Sequence, residues 1–490
     1  MAGLSRAELE RLLKEERARS TRLEQQLKRQ EGKIDELIKQ QGALQQEIKD
    51  LLRKLAEALR AAKRQAAPFA RRLRQKHRRK PGRKAGHVGA HQAIPDHVDE
   101  EIFEPLKGCP CCGGTVEDVA DHEQFIVDLP KVRAHVRRIV TQSGTCGRCR
   151  RRVRSQHPDQ VSTAGGAARV ALGPNVLGLA TDLKHRYGMA YRKVADLIGT
   201  YFGIHITHGA FVHASVRLAK LGAPTYRALM TIVRERPAVH TDDTGWRIDS
   251  ETAWLWVFAT TDGITVYVVA RSRGADVVET ALGVEFAGVL VSDGLPALDS
   301  LPDSYRRAQC LGHLIVRASE LASLHKAGAA RFPLAIKGFL QSVIALRDQR
   351  DELATSTYDR RCREANHRLD HLLAGHSTVH ENEKLRRHML KHREQLLVCL
   401  EDPAVAPTNN LAEQQLRGAV VVRKLGGCNR SDIHAWAHAV HASVAQTAHR
   451  QGFTFTDFAR VWMRPRAGPA DVLLAIAPDP KLTPRVRHRY

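Results

Sequence analysis

Between residues 6 and 65 apolar side chains recur at intervals of three and four, on a background that is charged and free of proline. Leu23, Leu37, Leu44 and Leu51 share one heptad position, and Leu27, Ile34, Ile48 and Leu55 share the other. A seam of this period predicts a coiled coil, and isoleucine at one seam position with leucine at the other leans toward a parallel dimer. Gln30 and Gln41 fall in the seam, where they weaken it and fix its register. From 173 to 222 the period stays helical. It predicts one helix over 174–186, a second over 191–201, a turn at Gly203, and a third helix capped by Thr207 and running to Leu221. Helix, short turn and capped helix resemble a helix-turn-helix, as many ordinary helix pairs also do.

After Pro237 the pattern changes. Residues 239–248, 253–261 and 264–270 are rich in β-branched and aromatic side chains, and Asp262-Gly263 joins the last two as a hairpin. A helical stretch over 274–282 precedes a buried strand that ends in Asp293-Gly294. Its carboxylate stands at the carboxyl end, where open α/β sheets place ligands. Residues 332–400 read as a helical insertion, and 433–450 as a helix closing the domain. Between these lies an acidic helix with Glu413, preceded by Asn410 at the spacing of an N-terminal capping pair.

Composition adds a partner. A net charge of +24 and a pI near 10 point to a polyanion, with nucleic acid ahead of a membrane surface. No apolar run of about 18 residues and no apolar signal core is visible, so no membrane contact and a cytoplasmic location are expected. Residues 60–84 hold twelve Lys or Arg and no acid. Such a run does not fold alone, and Arg78, Arg79, Lys80, Arg83 and Lys84 are expected to bind DNA phosphates. Nine cysteines, an odd number, fit reduced thiols better than a disulfide framework. Cys109 with Cys112 and Cys146 with Cys149 form two C-x-x-C pairs. Strand-like alternation at Phe125, Val127, Leu129, Val136 and Ile139 separates them. This layout predicts a zinc ribbon with four thiolates on one structural Zn²⁺, Cys111 being a spare. Arg148, Arg150, Arg151, Arg152 and Arg154 are then candidate DNA contacts.

The chemistry centres on Asp242 and Asp243 inside a core strand. Buried carboxylates are costly unless they meet cations or donors, and strand alternation lets only one of the two face a given site. Three strands, a helix, a strand and a late acidic helix suggest a ribonuclease-H-like fold. Two aspartates and Glu413 converging there would hold two Mg²⁺ ions, or Mn²⁺. Arg417, Arg423 and Lys424 follow Glu413 and are expected to meet phosphate. His367 with His371, and His388 with His392, repeat at four-residue spacing without acidic partners, and read as a basic or solvated helix face.

Several segments together resemble the insertion-sequence-66 family of bacterial DDE transposases. They are Asp242-Asp-Thr-Gly-Trp-Arg, Val289-Leu-Val-Ser-Asp-Gly, Pro407-Thr-Asn-Asn-Leu-Ala-Glu, Gly427-Cys-Asn-Arg-Ser, Arg79-Lys-Pro-Gly-Arg-Lys-Ala-Gly-His, Gly173-Pro-Asn-Val-Leu-Gly-Leu and the cysteine pairs. The resemblance implies Asp242, Asp293 and Glu413 as the catalytic acids, which decides between the adjacent aspartates. The family usually has Glu where this chain has Asp243. Gln309-Cys310-Leu-Gly-His313 is similar to its Cys-x-x-His segment, with Leu311 and Gly312 in place of Trp and Ala, and puts His313 near the site.

The expectation is a multidomain α+β protein. It has a coiled coil (6–65), a basic arm (66–105), a zinc ribbon (106–155), a helix-turn-helix-like helical domain (170–222), a ribonuclease-H-like core (235–326 and 401–460) with a helical insertion (327–400), and a loose basic tail (465–490). The implied activity is cleavage at the ends of a mobile element and strand transfer into target DNA. Homo-oligomers through the coiled coil and accessory proteins of the element are the expected partners. The rival readings are a DNA-binding or architectural protein with an inactive core, and a nuclease without strand transfer.

Overall fold

The computed structural model describes residues 94–464, apart from 131, 162–169 and 326, together with most of 14–48. The basic run 60–84, with Arg78, Arg79, Lys80, Arg83 and Lys84, the seam residues Leu51 and Leu55 and the tail 465–490 lie outside the described residues. The described part of 14–48 is helical throughout (α1) and belongs to a unit of its own, 1–91. Within one chain its stripe of Leu23, Leu27, Ile34, Leu37, Leu44 and Ile48 is uncovered, each side chain being more than half exposed.

In the second unit, 92–490, the expected ribbon is only partly present. β1 (Ser143–Thr145) and β2 (Arg152–Arg154) form an antiparallel hairpin around Cys146 and Cys149. The alternating residues between the cysteine pairs do not form strands. Phe125, Val127, Leu129 and Val136 are exposed in chain without regular structure. An alternating run becomes a strand only when a neighbour covers one face and pairs its edge, and none is offered here.

The helical domain follows the sequence closely at first. α2 (Pro174–His185) and α3 (Tyr191–Phe202) are separated by a short turn, and Gly203 ends α3 with φ +67°. Thr207 caps α4, its hydroxyl accepting from the Ala210 N–H at 3.3 Å. α4 then runs to Arg234 (His208–Arg234), beyond the expected end at Leu221 and straight through Pro224. Tertiary packing overrides the proline here. Leu218, Leu229 and Val233 on its buried face join the main core, and Thr225 accepts from the Trp462 indole N–H at 2.9 Å.

Five strands form the central sheet, in the order β5-β4-β3-β6-β7. β3 (Ala238–Ile248), β4 (Glu251–Ala259) and β5 (Thr265–Ala270) are antiparallel neighbours, while β6 (Val289–Ser292) and β7 (Arg306–Gln309) run parallel to β3. α5 (Ala275–Leu282) makes the crossover to β6. Alternation sorts the side chains. Trp256 and Phe258 of β4 and Leu290 of β6 pack with α4 and α5 on one face. Leu255 and Val257 of β4 pack on the other under α11 (Asn410–Gly426), which brings Ala412, Leu416 and Ala419. Next to it Val289 and Val291 meet α6 (Leu311–Leu324) and the insertion.

The free edge of β5 is closed by side chains of α12 (Asp432–Arg450). Ser443 Oγ accepts from Tyr267 N–H at 2.8 Å, and Thr447 Oγ1 both accepts from Thr265 N–H and donates to the Thr265 carbonyl, each at 3.0 Å. An edge whose backbone groups are satisfied in this way offers less to a second chain. α13 (Phe455–Trp462) completes the main core.

The insertion is helical as expected: α7 (Arg331–Asp348), α8 (Thr355–Ala374), α9 (His380–Lys391) and the short α10 (Val398–Glu401). The stretch Gly328–Asp348 is long and apolar enough to cross a bilayer by composition alone. In the fold it turns Ile336, Phe339, Leu340 and Val343 into the insertion's core instead. His388 and His392 are not on a solvated face. The Gln309 amide N–H donates to His388 Nε2 at 2.7 Å and His392 is buried. α9 thus braces the end of β7, because the amphipathic period turns that pair inward.

One contact between the helical domain and the sheet was not legible. His185 of α2 and His438 of α12 share a hydrogen bond, Nδ1 to Nδ1, at 2.9 Å. His441 Nε2 donates to the Ser215 carbonyl at 2.9 Å, and the Trp246 ring stacks on His438 at 5.0 Å. All three histidines are buried.

Candidate active site

Parallel pairing of β3 and β6 matches Ala238 with Val289, Val239 with Leu290 and His240 with Val291. Two residues further along each strand the chains reach Asp242 and Asp293, so the two acids stand in step at the carboxyl end of β6. Asp293 Oδ1 accepts from the Leu295 N–H at 3.1 Å, which forms the turn after the strand. Gly294 adopts φ +87°, and a Cβ there would run into the Gln309 amide, so glycine alone fits this turn.

Burial and then the Asp293 charge push the Asp242 carboxyl up to about 7, with the Glu413 charge contributing, against the Asp243 N–H that donates to Asp242 Oδ1 at 2.8 Å. Like charges this close raise a carboxyl because both cannot ionise freely. Asp243 has a different fate. Its side chain is only 4% exposed and accepts from Arg273 Nε at 2.9 Å, while Arg273 lies over the Trp254 ring at 4.5 Å.

Glu413 lies in the first turn of α11, its side chain 29% exposed. The expected capping pair is not formed. Asn409, not Asn410, is the N-cap, and it makes no side-chain cap bond. The carboxylate instead meets His313 Nε2 at 3.6 Å and Arg417 Nη2 at 3.9 Å. A hydrogen bond with Cys310, then the charges of Cys310, Glu413 and Asp293, raise the His313 pKa to about 9 against the effect of burial. The His313 imidazole is thus drawn toward its protonated form beside Glu413.

Of the cations expected to meet phosphate, Arg417 and Lys424 are on the exposed face of α11. Arg423 is turned onto the sheet. Its Nη1 donates to the Gly245 carbonyl and to Thr244 Oγ1, the latter at 3.2 Å, so it anchors α11 on β3.

The cysteine pairs form two tight turns. Cys109 N–H donates to the Gly114 carbonyl at 2.9 Å and its carbonyl accepts from Gly113 at 2.8 Å; Cys146 pairs likewise with Arg151 and Arg150, both at 2.9 Å. Backbone N–H groups of Cys111 and Cys112 lower the Cys109 pKa, and those of Cys149 and Arg148 lower that of Cys146. Each turn is thus built to favour a thiolate. Among the described residues, however, no three His, Cys, Asp or Glu side chains are arranged around one point as ligands of a metal ion. That applies to the four cysteines and to the three acids alike.

Three participants escaped the sequence. Arg273 holds the second aspartate, Gln309 fills the turn beside the first strand's partner, and Asn409 bonds to β3, with its amide donating to the Thr241 carbonyl at 2.8 Å. The doubled Asn409-Asn410 was the only signal for the last, since a helix needs one cap and not two.

Paired acids thus stand at the mouth of a mixed sheet in a chain of strong positive charge. The transposase IS66 family matches residues 169–436, more than half of the chain, and the chain belongs to that family. The matched stretch contains Asp242, Asp293 and Glu413. An uncharacterized protein, y4jD of Sinorhizobium fredii, is 24% identical over 364 residues, which cover 68% of this chain and 70% of the relative.

Proposed function

We propose that this chain is a DDE transposase that cleaves DNA at the ends of its own element and joins them to target DNA. The supporting observation is the register of β3 and β6 that puts Asp242 in step with Asp293, with the Glu413 charge bearing on Asp242. The sheet order, three antiparallel strands followed by two parallel ones, is that of a ribonuclease-H-like core. The donor set suits divalent cations: Asp242 is held near 7 by burial and a neighbouring charge, a cost that a bound cation would offset. Asp242, Asp293 and Glu413 would hold two Mg²⁺ or Mn²⁺ ions, which stabilise the attacking and leaving oxygens of an in-line displacement.

In the first step a water oxygen attacks the phosphorus at the element end and the 3′ oxygen leaves with a proton. The freed 3′ hydroxyl then attacks a target phosphorus and displaces a target 3′ oxygen. His313, cationic and half exposed at the rim, is placed to donate to a phosphate oxygen, and Arg417 adds a second cation beside Glu413. Asp243 takes no part, being held by Arg273. Further readings belong to the same proposal. α1 assembles copies through its uncovered stripe, four cysteines share a structural Zn²⁺, the basic arm tracks the DNA backbone, and α2–α3 serve as a DNA-facing helical pair.

Asp293→Asn tests the proposal. The variant should abolish Mg²⁺-dependent cleavage and joining of element ends while end binding persists in a mobility-shift assay. Wild-type joining by this variant would refute the assignment of the acids.

A further inference from the structure

Asp242 and Asp293 come from strands paired directly, but Glu413 arrives on a helix after 119 intervening residues. Apolar contact is non-directional, so Leu416 and Ala419 packing on the sheet does not fix where along β3 the helix stops. Polar contacts do: Arg423 ties the last turn of α11 to Thr244 and Gly245, and Asn409 ties its start to Thr241. Asn409 is fully buried, 0% exposed, and its amide is used on the sheet and not on its own helix. Nδ2 donates to the Thr241 carbonyl at 2.8 Å, and Oδ1 accepts from His240 Nδ1 at 3.1 Å. Its main chain serves the other two segments. The N–H donates to Cys310 Sγ at 3.1 Å, and the carbonyl accepts from the Glu413 N–H at 3.2 Å. Cys310 N–H in turn donates to the Ser292 carbonyl at 2.8 Å.

Three of these five bonds land on an acid or one residue from it: Thr241 before Asp242, Glu413 itself, and, through Cys310, Ser292 before Asp293. We propose that Asn409 is a positioning residue that registers the helix bearing Glu413 against Asp242 and Asp293, so that the three carboxylates act as one divalent-cation site. This rests on the reading of the acids given above. The chemistry requires an amide. Aspartate has no donor for the Thr241 carbonyl and would add a negative charge beside three others. Alanine would leave the Thr241 carbonyl and His240 Nδ1 buried without partners, at a site where His240 Nε2 already has none. Serine or threonine, good helix caps elsewhere, are too short to bridge both groups on β3.

The experiment titrates Mn²⁺ alone into the full-length protein and follows it by electron paramagnetic resonance, with melting temperature and end-DNA binding measured in parallel. Asp242→Asn defines the signal belonging to the acids. Asn409→Asp and Asn409→Ala should weaken that signal's affinity about 10- to 100-fold, slow end cleavage at saturating Mn²⁺, and leave end binding unchanged. A purely structural Asn409 would lower the melting temperature and leave the affinity of the folded protein untouched; that result overturns the proposal. If neither Asn409 variant folds, His240→Leu carries the test. It removes the donor that orients the amide and should weaken Mn²⁺ about 10-fold, whereas wild-type affinity in that variant overturns the proposal. Should Asp242→Asn and Asp293→Asn both bind Mn²⁺ as the wild type does, the reading of the acids falls, and the role of Asn409 with it.

Discussion

Asp242 and Asp243 are neighbours in chain; burial raises both carboxyls, and Arg273 opposes the rise at the second. One points to a second acid and is pushed up to about 7; the other is clamped by Arg273 at 2.9 Å. The clamp makes a prediction. Arg273→Ala leaves the Asp243 carboxylate buried without its counter-ion and should destabilise the protein by about 1–3 kcal/mol, Arg273 being half exposed and so partly screened. Adding Asp243→Asn should recover most of the loss, and a double-mutant cycle of urea midpoints measures the coupling. Strand alternation told that the two aspartates face apart. It could not tell which face held the site, because that depends on where β6 pairs. Asp293 was legible as an Asp-Gly turn after an apolar run. Asn409 was not, since its partners lie 168 and 169 positions away and no local period encodes a bond of that span.

Elements were legible where burial imposes a period and illegible where it does not. The strands of the sheet and the helices around it were readable because each has one covered face. Phe125, Val127, Leu129 and Val136 alternate just as well, yet among the described residues they stay exposed. α4 continues past the expected end at Leu221: Pro224 is a local breaker, and Leu229 and Val233 packing in the core outweighs it. Ser443 and Thr447, polar positions in an alanine-rich helix, find their partners only in the distant β5. The histidines joining α2, α4 and α12 carry the pH dependence of this layer. Burial first, with neighbouring positive groups adding, pushes His438 down to about 3; burial pushes His441 to about 4, and His185 also falls well below the ordinary 6.5. Folded, they stay neutral where the unfolded chain takes up protons. Their contribution to stability should therefore be complete above pH 6.5 and be lost as the pH falls from 6.5 toward 4, by about 1.4 kcal/mol per unit for His438 and for His441, while the raised Asp242 carboxyl acts in the opposite sense. Urea midpoints at pH 7 and pH 5 check this, and His438→Gln should flatten the dependence. An unchanged slope in that variant would rule His438 out as its source.

At the scale of the whole molecule, charge sets the terms of DNA binding. Replacing Arg78, Arg79, Lys80, Arg83 and Lys84 by alanine should weaken binding evenly across sequences. It should also make the plot of log affinity against log salt shallower, by up to about 0.9 per lost phosphate contact. A slope equal to wild type would show that the arm does not track the backbone. The long separation of Glu413 from the two aspartates has one more consequence under the transposase reading. During synthesis the ribosome releases β3 and β6 early, while α11 emerges only after the insertion has been translated. A nascent or prematurely terminated polypeptide ending before residue 410 displays two acids and never the third. On that reading such a fragment would lack one of the three acids and would be unable to nick the DNA of the cell making it, so the order of translation would itself act as a safety catch.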